Sequence, residues 1–325
     1  MRRVLQSIAP FLHLTRVTTA FAAVSNVWLI VLWTRFHEDE RGFVEVEEGP
    51  LWLLLVGGTV AALGLFAFGA CLNDILDLRR DRSLHPGRPL ASGQIKMETA
   101  LFLVAGTLVA AVLGSTVFGT IGVMLTLLVA TAIMVYNALG KFIPAIGLPL
   151  LGLIYCGHMV IPNVKLVFVW PVWLVLTHAL IVAALVHVVS GKTPPISRRA
   201  VVAAVVGWIF WSGVILMIGR RNGLVGFWPE WVSPWAGIVT GVLAIGYILF
   251  VWRKLAQFGR GPRSAEKIGR YGSLWLALYA CGWFLGQGLV VPALIIGALT
   301  IAGLLGMTAM REAYGLVEQP LGYRR

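Results

Sequence analysis

Apolar residues in this chain are gathered into long runs, at about 17–34, 51–76, 98–115, 118–137, 143–162, 168–190, 200–219, 234–252, 271–288 and 290–310. A helix needs roughly 20 such residues to cross a hydrocarbon core of about 30 Å. Inside lipid, every backbone N–H and C=O must be bonded within the segment, which leaves helices as the economical solution for runs of this length. The runs therefore dictate an all-α integral membrane protein. The last two are divided only around Gly288 to Val291, which leaves nine or ten spans. Composition agrees: 58% of residues are hydrophobic and 12% charged, against roughly 45–50% and about 25% in soluble proteins. Residues 1–325 read as a single transmembrane domain with no soluble domain attached.

Charge gives the orientation. A formal net charge of +12 would point to nucleic acid in a soluble protein, but here the basic residues lie in short loops between apolar runs, so no nucleic-acid partner is expected. With a cytoplasmic N-terminus and ten spans, only Arg35, Arg41, Lys165, Arg220 and Arg221 of the 26 basic residues fall on the outer side. That asymmetry obeys the positive-inside rule and predicts a protein of the cytoplasmic (inner) membrane, with its N-terminus and the loops 77–97 and 190–199 facing the cytoplasm. Met1-Arg2-Arg3 imitates the start of a signal peptide, but His13 and Arg16 interrupt any early apolar core, so the first run reads as a retained span. Trp33, Trp52, Trp170, Trp173, Trp228, Trp235 and Trp252 lie near run ends, where an indole prefers the headgroup region. Cys71, Cys156 and Cys281 show neither disulfide nor zinc spacing.

The densest chemistry lies at the end of the second run, Asn73-Asp74-Ile75-Leu76-Asp77-Leu78-Arg79-Arg80-Asp81. On a helix, Asn73, Asp74, Asp77 and Asp81 fall within roughly 100° of arc. Like charges so close raise one another's pKa unless something positive sits among them. Mg²⁺ takes oxygen ligands and commonly joins one or two carboxylates to substrate phosphates. Arg79, Arg80, Arg82 and Arg88 follow at once, which suits an anionic, phosphate-bearing ligand. A solvated run of paired Asp and Arg is the bland alternative, and ionisable residues at membrane depth weigh against it.

Asn73-Asp74-x-x-Asp77-x-x-x-Asp81, followed by Arg88-Pro89-Leu90-Ala91-Ser92-Gly93, resembles the first signature of the UbiA superfamily of membrane prenyltransferases. Tyr136-Asn137-Ala138-Leu139-Gly140-Lys141 is similar, more weakly, to the family's tyrosine and lysine at the end of a later helix, and the Gly-rich run Gly147 to Gly157 follows it. The resemblance implies a UbiA-like helical bundle around a central cavity capped by cytoplasmic loops. It implies Mg²⁺-dependent transfer of an isoprenyl group from a prenyl diphosphate to a lipophilic acceptor, aromatic or quinone-type. Asn73, Asp74, Asp77 and Asp81 would hold the metal and the diphosphate, Arg88 and Lys141 would neutralise the leaving group, and Tyr136 would face the allylic cation.

The family's second acidic motif is expected near 185–195, yet no Asp or Glu occurs between Glu98 and Glu230. The stretch there is Leu185-Val186-His187-Val188-Val189-Ser190-Gly191-Lys192. Three readings follow. Lys192, with Arg198 and Arg199, replaces the second metal by direct charge neutralisation. His187 supplies a ligand or accepts a proton. Or the chain is a non-catalytic membrane subunit that binds a prenyl diphosphate or lipid, working with a protein partner. His178 and His187 are each weighed against the plainer role of a packed, hydrogen-bonded helix histidine.

Overall fold

A computed structural model describes residues 2–16, 20–223 and 226–318. Its helices are α1 (Arg2–Thr15), α2 (Phe21–Phe36), α3 (Val44–Glu48), α4 (Leu51–Leu76), α5 (Leu78–Leu84), α6 (Met97–Ser115), α7 (Gly119–Ala138), α8 (Pro144–Met159), α9 (Trp170–Val189), α10 (Arg198–Gly223), α11 (Pro234–Phe258), α12 (Pro262–Gln287) and α13 (Val290–Glu318). Among the described residues there is no strand. Six apolar helical stretches are long enough to cross a membrane, and α2 and α8 are shorter apolar helices. One of the six, Met97–Ala138, is 42 residues long and is divided into α6 and α7 by a 3-10 turn at Thr116–Phe118 and by Gly119 at φ +73°. Large apolar side chains such as Phe102, Met124, Leu128, Phe210, Ile248 and Leu294 point outward from the bundle. Such a surface is stable only against lipid, and the chain is an integral membrane protein.

Six helices close a ring, with α2 against α4, α4 against α7, α7 against α8, α8 against α9, α9 against α12, and α12 back against α2. The other long helices pack outside it: α6 on α4, α10 on α8 and α9, α11 on α12, and α13 on α12 and α2. Small residues set the closest of these contacts. A Cβ at Gly64 would lie 2.7 Å from the Ala111 nitrogen and from the Thr107 oxygen, so α4 and α6 meet backbone to backbone. Packing of this kind holds membrane helices together where no hydrophobic effect separates helix from lipid. Gly288, at φ +83°, ends α12 and lets α13 fold back along it.

One end of the bundle is fastened by loops. Glu40 is 4% exposed and accepts from Val167 N–H (2.6 Å), Phe168 N–H (3.2 Å) and the Trp33 indole N–H (3.1 Å). Asn163 donates to Thr34 Oγ1 at 3.0 Å and to the Arg41 carbonyl at 2.6 Å. These bonds tie the loop after α2 to the segment between α8 and α9. They also correct one expectation: Trp33 is 1% exposed, stacked on Phe168, and belongs to the core and not to a headgroup belt. A buried indole needs a partner for its N–H, and Glu40, four residues beyond the end of α2, supplies it.

Candidate active site

A cavity of about 700 Å³ lies inside the six-helix ring, with lining from α2, α4, α7, α8, α9 and α12. The polar wall of its mouth begins where α4 ends. Asp77 breaks the helix at φ −88°, ψ 1°, yet its N–H still bonds the Asn73 carbonyl (2.9 Å), Asp81 N–H bonds the Asp77 carbonyl (2.8 Å) and His85 N–H bonds the Asp81 carbonyl (2.8 Å). Four-residue bonding thus continues through α5, and side chains four apart stack on one face. Asn73, Asp77, Asp81 and His85 all line the cavity. Asp74 lies one residue off that face and does not line it; its carboxylate, 4% exposed, meets Arg16 at 2.6 Å and Arg88 at 3.7 Å.

Each lining carboxylate has a cation on it. Arg88 Nη1 lies 2.6 Å from Asp81 Oδ2, and Lys141 Nζ lies 2.8 Å from Asp77 Oδ1 and 3.0 Å from Asn73 Oδ1. Local structure explains both placements. The loop carrying Arg88 is turned by Gly93 at φ +79° and pinned by Leu90 and Ile95, which pack with Leu14, Cys71 and Ala100. Lys141 rides on a 3-10 turn, Gly140–Phe142, whose first carbonyl is met closely by Gly147 at the start of α8. Only glycine allows that approach, which gives the Gly-rich run after Lys141 its structural sense. Tyr136, one turn earlier on α7, also lines the cavity.

Lys192 and Thr193 form part of the lining after α9, together with His187. His187 Nε2 is 2.8 Å from the Pro194 carbonyl and so staples this loop to its own helix. Burial and, secondarily, the neighbouring Arg80 charge lower the Lys192 pKa from the usual lysine value. Among the described residues no carboxylate ion-pairs with Lys192 or Arg80. Arg198 and Arg199 open α10, are exposed and do not line the cavity. His178 lines it deeper in, with both ring nitrogens engaged: Nε2 with the Gly272 carbonyl at 2.8 Å and Nδ1 with the Tyr279 hydroxyl at 3.2 Å. That is the packed, hydrogen-bonded histidine.

The mouth therefore carries Arg16, Arg80, Arg88, Lys141 and Lys192 against Asp77 and Asp81, a surplus of positive charge suited to a polyanion. Arg16 was not singled out as a ligand-binding group in the sequence, where it reads only as an interruption of the first apolar run; its partner Asp74 is 58 residues away. Among the described residues, no three His, Cys, Asp or Glu side chains lie together as a metal site. The donors fit Mg²⁺ in its commoner mode, in which one or two carboxylates hold the ion and substrate phosphates and water complete the shell. Asp77 and Asp81 would provide the carboxylates, and Asn73 a third hard oxygen on the same face.

Solved structures share this architecture. A digeranylgeranylglyceryl phosphate synthase overlays with a TM-score of 0.55 at 16% identity, covering 87% of this chain and 99% of its own. A UbiA homolog from Aeropyrum pernix K1 overlays at 0.51 and 16% identity, covering 81% and 96%. The fold is UbiA-like. A UbiA homolog from Archaeoglobus fulgidus, solved with GPP and Mg²⁺, overlays at 0.43 with 15% identity, too low to compare sites. No protein-family model and no curated protein matches the sequence. The UbiA-like bundle around a central cavity was legible from the acidic motif and the weaker match at Tyr136 to Lys141; the order in which six helices close the ring comes from the structure.

Proposed function

We propose that this chain transfers an isoprenyl group from a prenyl diphosphate to a lipophilic acceptor, aromatic or quinone-type, in a Mg²⁺-dependent reaction. The observation that carries the reading is the mouth of the cavity: Asp77 and Asp81 share it with Arg88, Lys141 and Lys192, at one end of an otherwise largely apolar chamber. The UbiA-like fold, shared with a digeranylgeranylglyceryl phosphate synthase, supports it.

In this reading Asp77 and Asp81, with Asn73 beside them, would hold Mg²⁺, while Asp74 behind them would fix Arg16 and Arg88. The ion, when bound, offsets charge on the leaving oxygens. Arg88 and Lys141, now on Asp81 and Asp77, lie where they would meet the phosphates of a bound diphosphate. Lys192 approaches from the opposite wall, where the second acidic motif is missing, and meets the diphosphate directly. As the C1–O bond breaks, its electron pair leaves with the diphosphate, and an electron pair of the acceptor forms the new bond to C1 with loss of a proton. Tyr136 offers its ring face to the allylic cation. Apolar lining such as Leu65, Ile133 and Leu148 keeps water from that cation.

A second reading rests on the same wall. With no carboxylate opposite Asp77 and Asp81, and both already ion-paired, the chamber would serve a non-catalytic subunit that binds a prenyl diphosphate or lipid for a partner protein. In either case we read residues 1–325 as one domain in the cytoplasmic (inner) membrane, with the N-terminus and the cavity mouth on the cytoplasmic side.

Binding of geranylgeranyl diphosphate to the purified protein, with and without Mg²⁺, tests the proposal when diphosphate release is followed in parallel. Mg²⁺-dependent binding with release that quickens on adding acceptors is the expected result. Binding without release under every acceptor selects the second reading, and absence of binding overturns both.

A further inference from the structure

The far end of the cavity differs from its mouth. Along each lining helix the lining residue farthest from the mouth is Asn26 on α2, Leu65 on α4, Ile133 on α7, His158 on α8, His178 on α9 and Leu276 on α12. Leu65 precedes Asp77 by twelve residues, or roughly 18 Å of helix. The walls between are mostly apolar. At this inner end, however, Asn26 Oδ1 and His158 Nε2 are buried without a hydrogen-bond partner, on residues only 1% and 8% exposed. His158 lies beside the Ala62 carbonyl, and Val27, next to Asn26, packs at Gly58, one turn from Ala62. The helices α2 and α8 are also in contact. Both unpartnered groups therefore sit at one level of the chamber.

Unpaired polar atoms so deep in a membrane bundle are rare and destabilising. Neither can serve the phosphate end, which lies too far away, and a prenyl chain has nothing to offer them. A neutral oxygen does: a hydroxyl donates to Asn26 or His158, and a carbonyl accepts from whichever of their nitrogens carries hydrogen. The amide and imidazole orientations exchange to suit either. A charged group would be unwelcome, because no Lys, Arg, Asp or Glu lines this end.

We infer that Asn26 and His158 form a subsite for a neutral hydroxyl or carbonyl oxygen on a ring-containing acceptor. It would hold that acceptor with its oxygenated edge inward and its opposite edge toward the diphosphate. The inference rests on the prenyl-transfer reading and deepens it. The acceptor is an uncharged phenol or hydroquinone, selected by hydrogen bonding at the closed end, and an aromatic carboxylate is excluded by the cost of burying its charge.

The test compares two probes of one carbon skeleton, 2-methyl-1,4-naphthoquinone and 2-methylnaphthalene, binding to the full-length protein in detergent. The wild type is expected to prefer the quinone about tenfold, the worth of one or two hydrogen bonds in a dry site. Asn26→Leu and His158→Phe should each erode that preference severalfold, while His158→Gln, which keeps a donor and an acceptor, retains most of it. Mg²⁺-dependent binding of a non-hydrolysable prenyl thiodiphosphate is measured on the same samples. It reports that the variants are folded, and its failure in the wild type would count against the transfer reading alone. Equal wild-type affinity for the two probes overturns the subsite. So does a preference that survives both substitutions, since the two polar atoms then serve only an ordered water.

Discussion

Asp77 and Asp81 reach the cavity already neutralised by Lys141 and Arg88, so removing either carboxylate has two opposite effects. Asp77→Ala or Asp81→Ala should abolish the tightening of diphosphate binding by Mg²⁺, while the Mg²⁺-free affinity rises, because a cation is released to the phosphate. Titration of each variant with and without the ion checks both halves. Lys192→Ala should weaken diphosphate binding about tenfold, the worth of one charge-assisted hydrogen bond. Because burial and Arg80 lower the Lys192 pKa, the charged, binding form is lost earlier than for an ordinary lysine. Affinity should hold at neutral pH and fall as pH rises through that lowered pKa. The effect on the fold has the other sign: the unfolded chain keeps its proton to higher pH, so the cost of burying the ammonium is present below the folded pKa and relieved above it. Lys192→Arg stays charged throughout and should abolish the alkaline fall. Parallel affinity–pH curves for the two proteins would return Lys192 to the role of a topological anchor. These residues were legible because the carboxylates are local in sequence, four apart on one helix end. Arg16, Asn26 and His158 were not, since only tertiary packing brings them to the same chamber. Glu40 was not legible for the same reason: only tertiary packing makes it a buried acceptor for the Trp33 indole and for the N–H groups of Val167 and Phe168.

The pairing of α4 with α6 depends on glycines whose role the sequence does not announce. A Cβ on Gly114 would lie 2.5 Å from the Ala61 nitrogen and 2.7 Å from the Gly57 oxygen. Gly106, on the same helix, has nothing within 4 Å of that position. Gly114→Ala should therefore push the helices apart at a cost of about 1–3 kcal/mol or more, whereas Gly106→Ala should be neutral or stabilise by up to about 1 kcal/mol through helix propensity. Thermal unfolding of both variants in detergent separates the two outcomes. Helix positions themselves were readable from apolar run length, because lipid forces every backbone group into a helix. Which helix neighbours which was not, since an all-round apolar helix carries no stripe to aim it. The break at Asp77 was hidden too, because α5 continues the same four-residue bonding.

At the scale of the molecule, the excess of Lys and Arg in one set of loops predicts the orientation. Glu38→Cys, in the exposed loop after α2, should react with a membrane-impermeant maleimide in intact cells, and Ser197→Cys, exposed before α10, only after the cells are opened. The reverse pattern would invert the bundle. The six-helix ring also has a consequence for how the protein is made. Asp77 and Asp81 leave the ribosome within the first quarter of the chain, but the wall built by Gly272, Ser273 and Leu276 belongs to α12, which begins only at Pro262. Without α12 between α9 and α2 the chamber is a cleft open on that flank. A chain stopped after α11 would hold every charged group of the mouth and still have no closed chamber.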